Sequence, residues 1–174
     1  MPLSIDHLRR QAKALRRDFN AGSAKAQART AAVVPGLTAM KHADALHVIA
    51  REEGHASWPK LQIAAELAML DRDARAERLK IALFFGQDWV ATRLLDADPR
   101  LGDANLGLQI ALLRIGAVAE RLASDPQAST RRIGIRAPIL HLTFSQHWRQ
   151  LKQGADASVA LAEMLVRHGA DVNA

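Results

Sequence analysis

Seven histidines are the residues of this chain best suited to chemistry, because a neutral imidazole binds metals and moves protons near neutral pH. Their spacing does not assemble them. His42 and His47 stand five apart, on different faces of a helix. There is no His-Glu-x-x-His pair, and no cysteine to complete a mixed cluster. Glu52 and Glu53 are neighbours in sequence and so point to different faces, unlike a working acid–base pair. Gly-x-Ser-x-Gly, Gly-x-x-x-x-Gly-Lys and Gly-x-Gly-x-x-Gly are all absent. The expectation is a protein that is not an enzyme and holds no metal and no cofactor.

The cationic residues are placed for binding. Net charge is +6, and residues 1–30 carry seven basic side chains against Asp6 and Asp18. Ser4 is suited to cap a helix in which Ile5, Leu8, Ala12, Leu15 and Phe19 recur at spacings of three and four. Arg9, Arg10, Lys13, Arg16 and Arg17 fall largely off that stripe. The pattern predicts an amphipathic helix with a basic back, either a solvated face or a nonspecific contact for nucleic-acid phosphates.

The elements that position these residues read as helices throughout. Asn20-Ala21-Gly22 ends the first, Ser23 starts a second, and Pro35-Gly36 breaks the chain. A third is expected from about Met40 to Glu53, with Met40, Ala43, Leu46, Ile49 and Ala50 as its stripe and Gly54 as its stop. A fourth follows Ser57 and reaches about Leu70, with Pro59 tolerated in its first turn. From Asp71 the pattern becomes paired helices. Asp73 is the expected cap of a helix through Leu79, Ala82 and Leu83 that stops at Gly86; Trp89, Val90, Leu94 and Leu95 mark its partner, which ends at Asp98-Pro99. About 28 residues later, Leu108, Ala111, Leu112 and Ile115 predict one helix, Gly116 a turn, and Val118, Ala119 and Leu122 another that stops at Asp125-Pro126.

Composition bounds the setting. With 174 residues, 49% hydrophobic and 24% charged, the chain has an ordinary globular balance, and its 4% aromatics leave small aliphatic side chains to do the packing. No cysteine fits a reducing compartment. No run approaches the roughly 20 apolar residues of a membrane span, and the N-terminus lacks the apolar core of a signal peptide. A cytoplasmic location without membrane contact is expected.

The last segment carries a resemblance. Leu161, Met164, Leu165 and His168 share a helix face, Gly169 can close the last turn in the left-handed conformation, and Asp171 and Asn173 can support a turn in which Val172 supplies an apolar contact. With Gly169-Ala170-Asp171-Val172-Asn173-Ala174, this resembles the end of an ankyrin repeat. Ala137-Pro138-Ile139-Leu140-His141-Leu142 is similar to the Thr-Pro-Leu-His start of an ankyrin inner helix, with Ala in place of Thr and the histidine one place later. Val90-Ala91-Thr92-Arg93-Leu94, Val118-Ala119-Glu120-Arg121-Leu122 and Leu161-Ala162-Glu163-Met164-Leu165 add the internal self-similarity of a solenoid. Upstream, Ile49-Ala50-Arg51-Glu52, Gly54 and Ala56-Ser57-Trp58-Pro59 resemble the N-terminal helical extension of bacterial ankyrin-repeat proteins.

The fold class expected is therefore all-α: a helical region over residues 1–70 acting as a cap, then about three ankyrin-like repeats over 71–174, the first two diverged, stacked as a short α-solenoid. The resemblance implies a noncatalytic protein–protein interaction scaffold whose concave face is built from hairpin tips and inner helices. It directs attention to Arg131, Arg132 and Arg136 before Pro138, which suit an acidic protein partner or form a solvated loop, and to His141 and Ser145. Trp148 and Arg149, in an insertion between the last two helices, are residue types enriched at binding hot spots. The exposed last repeat suggests either more repeats after Ala174 or an oligomer. The alternative is nucleic-acid binding through Arg9, Arg10, Lys13, Arg16 and Arg17. A DNA-binding helix-turn-helix over Ile49–Leu61 is opposed by Pro59 and by acidic Glu52 and Glu53.

Overall fold

Ser4 accepts a hydrogen bond from the His7 amide and opens helix α1, Ile5–Asn20, in the computed structural model of the protein, which describes residues 4–173. The described residues form α-helices and short 3-10 turns, with no strand beyond one isolated bridge. The fold is all-α. No helix among the described residues is long and apolar enough to cross a membrane. The chain divides into two compact units, the first ending at Met69 and the second beginning at Leu70.

In the first unit, Leu8, Ala12, Leu15 and Phe19 of α1 are buried, as their spacing requires. They pack against α3, His42–Glu52; α2, Ala24–Ala31, also packs against α1, and α4, Trp58–Met69, against α3. Burying each of the larger side chains stabilises this unit by about 1.5–3 kcal/mol. Ser23 caps α2 as expected, and Trp58 packs against this core. Of the stripe expected for α3, Met40, Ile49 and Ala50 are buried and Leu46 packs against the same core, with Ala45 and Val48 completing the buried face; Ala43 alone is exposed, a correction to the expectation. Met40 precedes the helix, where the Asn20 side chain bonds its backbone twice, Met40 N–H to Oδ1 at 2.9 Å and Nδ2–H to Met40 O at 3.1 Å. The helix thus starts later than expected, and most of its expected stripe is buried.

The second unit is built of helix pairs. Asp71, not the expected Asp73, caps α5, Arg72–Phe84, by accepting from the Ala74 amide at 2.8 Å. Helix α6, Asp88–Ala97, packs back on α5, and a 3-10 turn, Pro99–Asp103, follows. Helices α7, Leu106–Ala111, and α8, Ile115–Ser124, with the 3-10 turn Pro126–Ser129, repeat the arrangement. Helices α9, Pro138–Phe144, and α10, Gly154–Arg167, make the third pair. Helix α7 packs against α5, α8 and α9, and α10 packs against α9 and α8. Leu106, Ile110, Val118, Leu122, Leu142, Leu161 and Leu165 are buried between them.

The first two pairs are copies at an offset of 27 residues. Gln87 (φ −82°, ψ 65°) corresponds to Arg114 (−79°, 68°), and Asp98 (−145°, 92°) to Asp125 (−141°, 88°). Gly86, at φ +62°, corresponds to Leu113, at +56°. Gly116 is therefore not the turn: it lies inside α8, as does Ile115. A leucine in the left-handed region costs about 1–2 kcal/mol, and Leu113 offsets this by packing against the core beneath it.

At the C-terminal end, Gly169 has φ +88° and the Ala170 amide reaches back to Leu165 O at 3.0 Å, closing the helix as the sequence predicts. The Asn173 amide donates to Asp171. Val172 is mostly exposed, and the expectation concerning Ala174 lies outside the described residues.

Candidate functional site

Ile133 and Arg136 pair across a two-residue turn, Gly134-Ile135, with Ile133 N–H donating to Arg136 O at 2.8 Å. Gly134 supplies the positive φ (+63°) that a tight hairpin requires at its first central position. Ile135 is left at the tip, 83% exposed. Arg136 folds back from the hairpin onto Phe84 and Phe144, its guanidinium carbon 5.2 and 5.1 Å from the two ring centroids. The rings of Phe84 and Phe144 meet edge-on at 5.6 Å, and Phe85 meets Phe84 at 4.8 Å. Three of the chain's four phenylalanines thus converge on one place.

That place is a hollow of about 270 Å³ lined by Lys80, Ile81, Phe84 and Phe85 of α5, by the hairpin from Ile133 to Arg136, and by His141. A second hollow shares Phe84 and Phe85 and reaches Arg149, Gln146 and Gln150. Exposed Phe85 therefore stands between Arg136 on one side and Arg149 on the other.

The residues singled out in the sequence separate into three groups. Arg136 and Arg149 border the aromatic patch, and Trp148 stands beside Arg149, whose guanidinium lies 5.3 Å from the indole centroid. Arg131 and Arg132 are exposed but engaged locally, Arg131 with Asp125 at 2.8 Å and Arg132 with Ile135 O at 3.2 Å. His141 and Ser145 are buried. Ser145 is 4% exposed, and its hydroxyl donates to Ala111 O at 2.7 Å and accepts from the His147 amide at 3.2 Å. His141, 5% exposed, lies against Gly107, where any Cβ would meet its ring at 2.9 Å. Its Nε2 has no hydrogen-bond partner. Burial pushes the His141 pKa below the ordinary histidine value; the Ile133 backbone opposes this, Lys80 and Arg136 add to it, and Glu77 resists it. Burial also lowers the pKa of His147, against the pull of Asp88.

The insertion containing these residues serves as a strap. The Gln146 amide donates to Leu83 O at 2.9 Å, at the end of α5, while Ser145 holds the end of α7, and Gln150 bonds Asp88 at 2.7 Å. It continues as a 3-10 turn, His147–Gln150, and packs so closely on α10 that a Cβ on Gly154 would overlap the Trp148 carbonyl. On its far side Trp148, Leu142, Val159 and Ala162 line a shallow apolar hollow.

Sequence reasoning missed Phe84, Phe85, Ile81 and Ile135. A signal was present in part: Phe84-Phe85 is an aromatic pair in a chain poor in aromatics, and Ile133 and Ile135 alternate with the glycine and arginine of the hairpin.

The basic residues of α1 gather separately. Arg10, Lys13, Arg16 and Arg17 line one open hollow of about 550 Å³ together with His42, whose Nδ1 is buried without a partner. Arg9 is outside it and pairs with Asp6 at 3.2 Å, and Arg17 also contacts Asp18 at 3.0 Å. Arg10, Lys13 and Arg16 have no carboxylate partner among the described residues.

Among the described residues no three histidine or acidic side chains come together to hold a metal. Comparison with protein-family models, with curated proteins and with solved structures finds no match to this chain.

Proposed function

We propose that the protein is a noncatalytic recognition module whose second unit is a short ankyrin-like array of three helix pairs, and that it docks an acidic protein partner. The observation that carries this reading is the contiguous exposed surface of Ile81, Phe85, Ile135 and Phe144 between Arg136 and Arg149. Apolar patches rimmed by polar groups mark interaction surfaces more often than bare solvent-facing ones, and aromatic and arginine side chains dominate hot spots. Support for the array comes from the 27-residue copy of the first pair and from the hairpin that precedes Pro138. The absence of cysteine fits a cytoplasmic setting.

A pull-down with the full chain tests it. A discrete protein retained after nuclease treatment, and lost from a Phe85→Asp, Ile135→Asp variant with unchanged helicity, is the expected result. Identical capture by both chains would remove the aromatic patch from the reading. Self-association through Trp148, Val159 and Ala162 belongs to the same proposal and predicts a concentration-dependent mass in light scattering.

A second reading, nucleic-acid binding by the first unit, is favoured by the hollow that unites Arg10, Lys13, Arg16 and Arg17. Changing Arg10, Lys13 and Arg16 together to Ala is expected to abolish capture of any nuclease-sensitive material; unchanged capture rejects it.

A further inference from the structure

The hollow between α5 and the Ile133–Arg136 hairpin combines two properties seldom found together on a surface. Its rim is apolar and open, with Ile81 44%, Phe85 66% and Ile135 83% exposed. Its cation is fixed. Arg136 is held by the rings of Phe84 and Phe144, and no carboxylate among the described residues pairs with it. Lys80, on the same wall, is already engaged by Glu77. We propose that this hollow binds a small amphipathic carboxylic acid, with an aryl or branched alkyl body against Ile81, Phe85 and Ile135 and its carboxylate on the N–H edge of Arg136.

Three considerations select that ligand class. A planar guanidinium presents paired N–H donors that match the two oxygens of a carboxylate. Because the rings already hold the Arg136 side chain, little rotamer freedom is lost when an anion arrives. Size sets the body: a cavity of about 150 Å³ accepts benzene, so about 270 Å³ accommodates one ring and a short acid-bearing arm. The floor is closed by His141, which is buried. This assignment goes beyond protein docking and does not depend on it, because it concerns a free ligand and the isolated chain.

The test is a titration of the isotope-labelled full chain, followed through the backbone amides of Ile81, Phe85, Gly134 and Ile135, with 3-phenylpropionate, 3-phenylpropanamide and propionate as probes. Phenylpropionate is expected to give saturable shifts at those amides. The uncharged amide is expected to bind about tenfold more weakly, the loss of one charge-assisted hydrogen bond, and propionate, lacking the ring, more weakly still than phenylpropionate. Arg136→Gln should erase the difference between acid and amide. Ile135→Ala, at a side chain that packs on nothing in the core, should weaken both while leaving the fold intact; it keeps the test decisive if the Arg136 variant does not fold. Absence of saturable shifts in the native chain, or equal affinity for acid and amide, overturns the proposal. So does a peptide with a free C-terminal phenylalanine that binds the same amides tenfold or more tightly than phenylpropionate, since that would give the hollow to a protein terminus.

Discussion

The two cationic surfaces of this protein hold their charges in opposite ways. On α1, Arg10, Lys13 and Arg16 project from a helix whose other face is buried, with no carboxylate among the described residues to fix them. In the second unit a single guanidinium, Arg136, is held against two rings beside exposed aliphatic side chains. Free hydrated cations attract any phosphate and discriminate little; a fixed cation beside apolar surface selects for shape. The same residue type thus serves nonspecific attraction in one region and oriented recognition in the other.

The widest separation is expected in salt dependence. If the three unpaired cations of α1 each take a phosphate, affinity for a short DNA duplex falls about forty-fold between about 50 and 200 mM salt, whereas a ligand answered by Arg136 alone weakens less than about fourfold. Equal slopes in a binding titration would erase the contrast. Next in size is Gly107→Ala. Its Cβ would press on the His141 ring, which is buried and cannot step aside. Overpacking outweighs the helix propensity gained, for a net loss of about 1–2 kcal/mol in chemical denaturation. Ala137→Ser acts in the opposite direction: helix α9 has no side-chain cap, and supplying one should stabilise it by about 1 kcal/mol. Phe144→Leu removes one of the two rings on Arg136 and should cost about 0.5–1 kcal/mol, read in a double-mutant cycle with Arg136→Gln.

The smallest effect expected is on pH. The folded-state pKa of His141 is lowered, so between that value and the unfolded one, about 6.5, the unfolded chain binds more protons and stability falls as the solution is acidified. Above the unfolded pKa this contribution is constant. His147 acts in the same direction, so changing His141 to Gln should flatten the acid limb of stability against pH only in part.

What could be read from the sequence was whatever the chain decides within one turn of a helix. The caps at Ser4 and Ser23, the stripe of α1, the Gly22, Gly54, Gly86 and Gly169 stops and the two Asp-Pro stops each involve residues at most five positions apart. Failures arose where a distant partner decides. Met40 is held just ahead of α3 by the side chain of Asn20, a clasp that no local pattern announces. Leu113 takes a conformation that its residue type does not advertise, and nearby Gly116 was the more visible candidate for the turn. In the candidate site, Arg136 and Arg149 were legible as arginines near a hairpin and a tryptophan. The ring cluster that gives them a role was not, because α5, the hairpin and α9 meet only once folded.

The strap after α9 alters how the second unit should come apart. In an array where each pair touches only its neighbour, a terminal pair can peel away and leave the rest intact. Here residues 145–150 of the third pair hydrogen-bond to Leu83 and Asp88 of the first as well as to Ala111 of the second. Losing the last pair would strip acceptors at both preceding helix ends of their donors, so fraying from that side is coupled to the whole. Amide hydrogen exchange in α5 and α9 should accordingly report one shared opening free energy instead of a gradient along the chain.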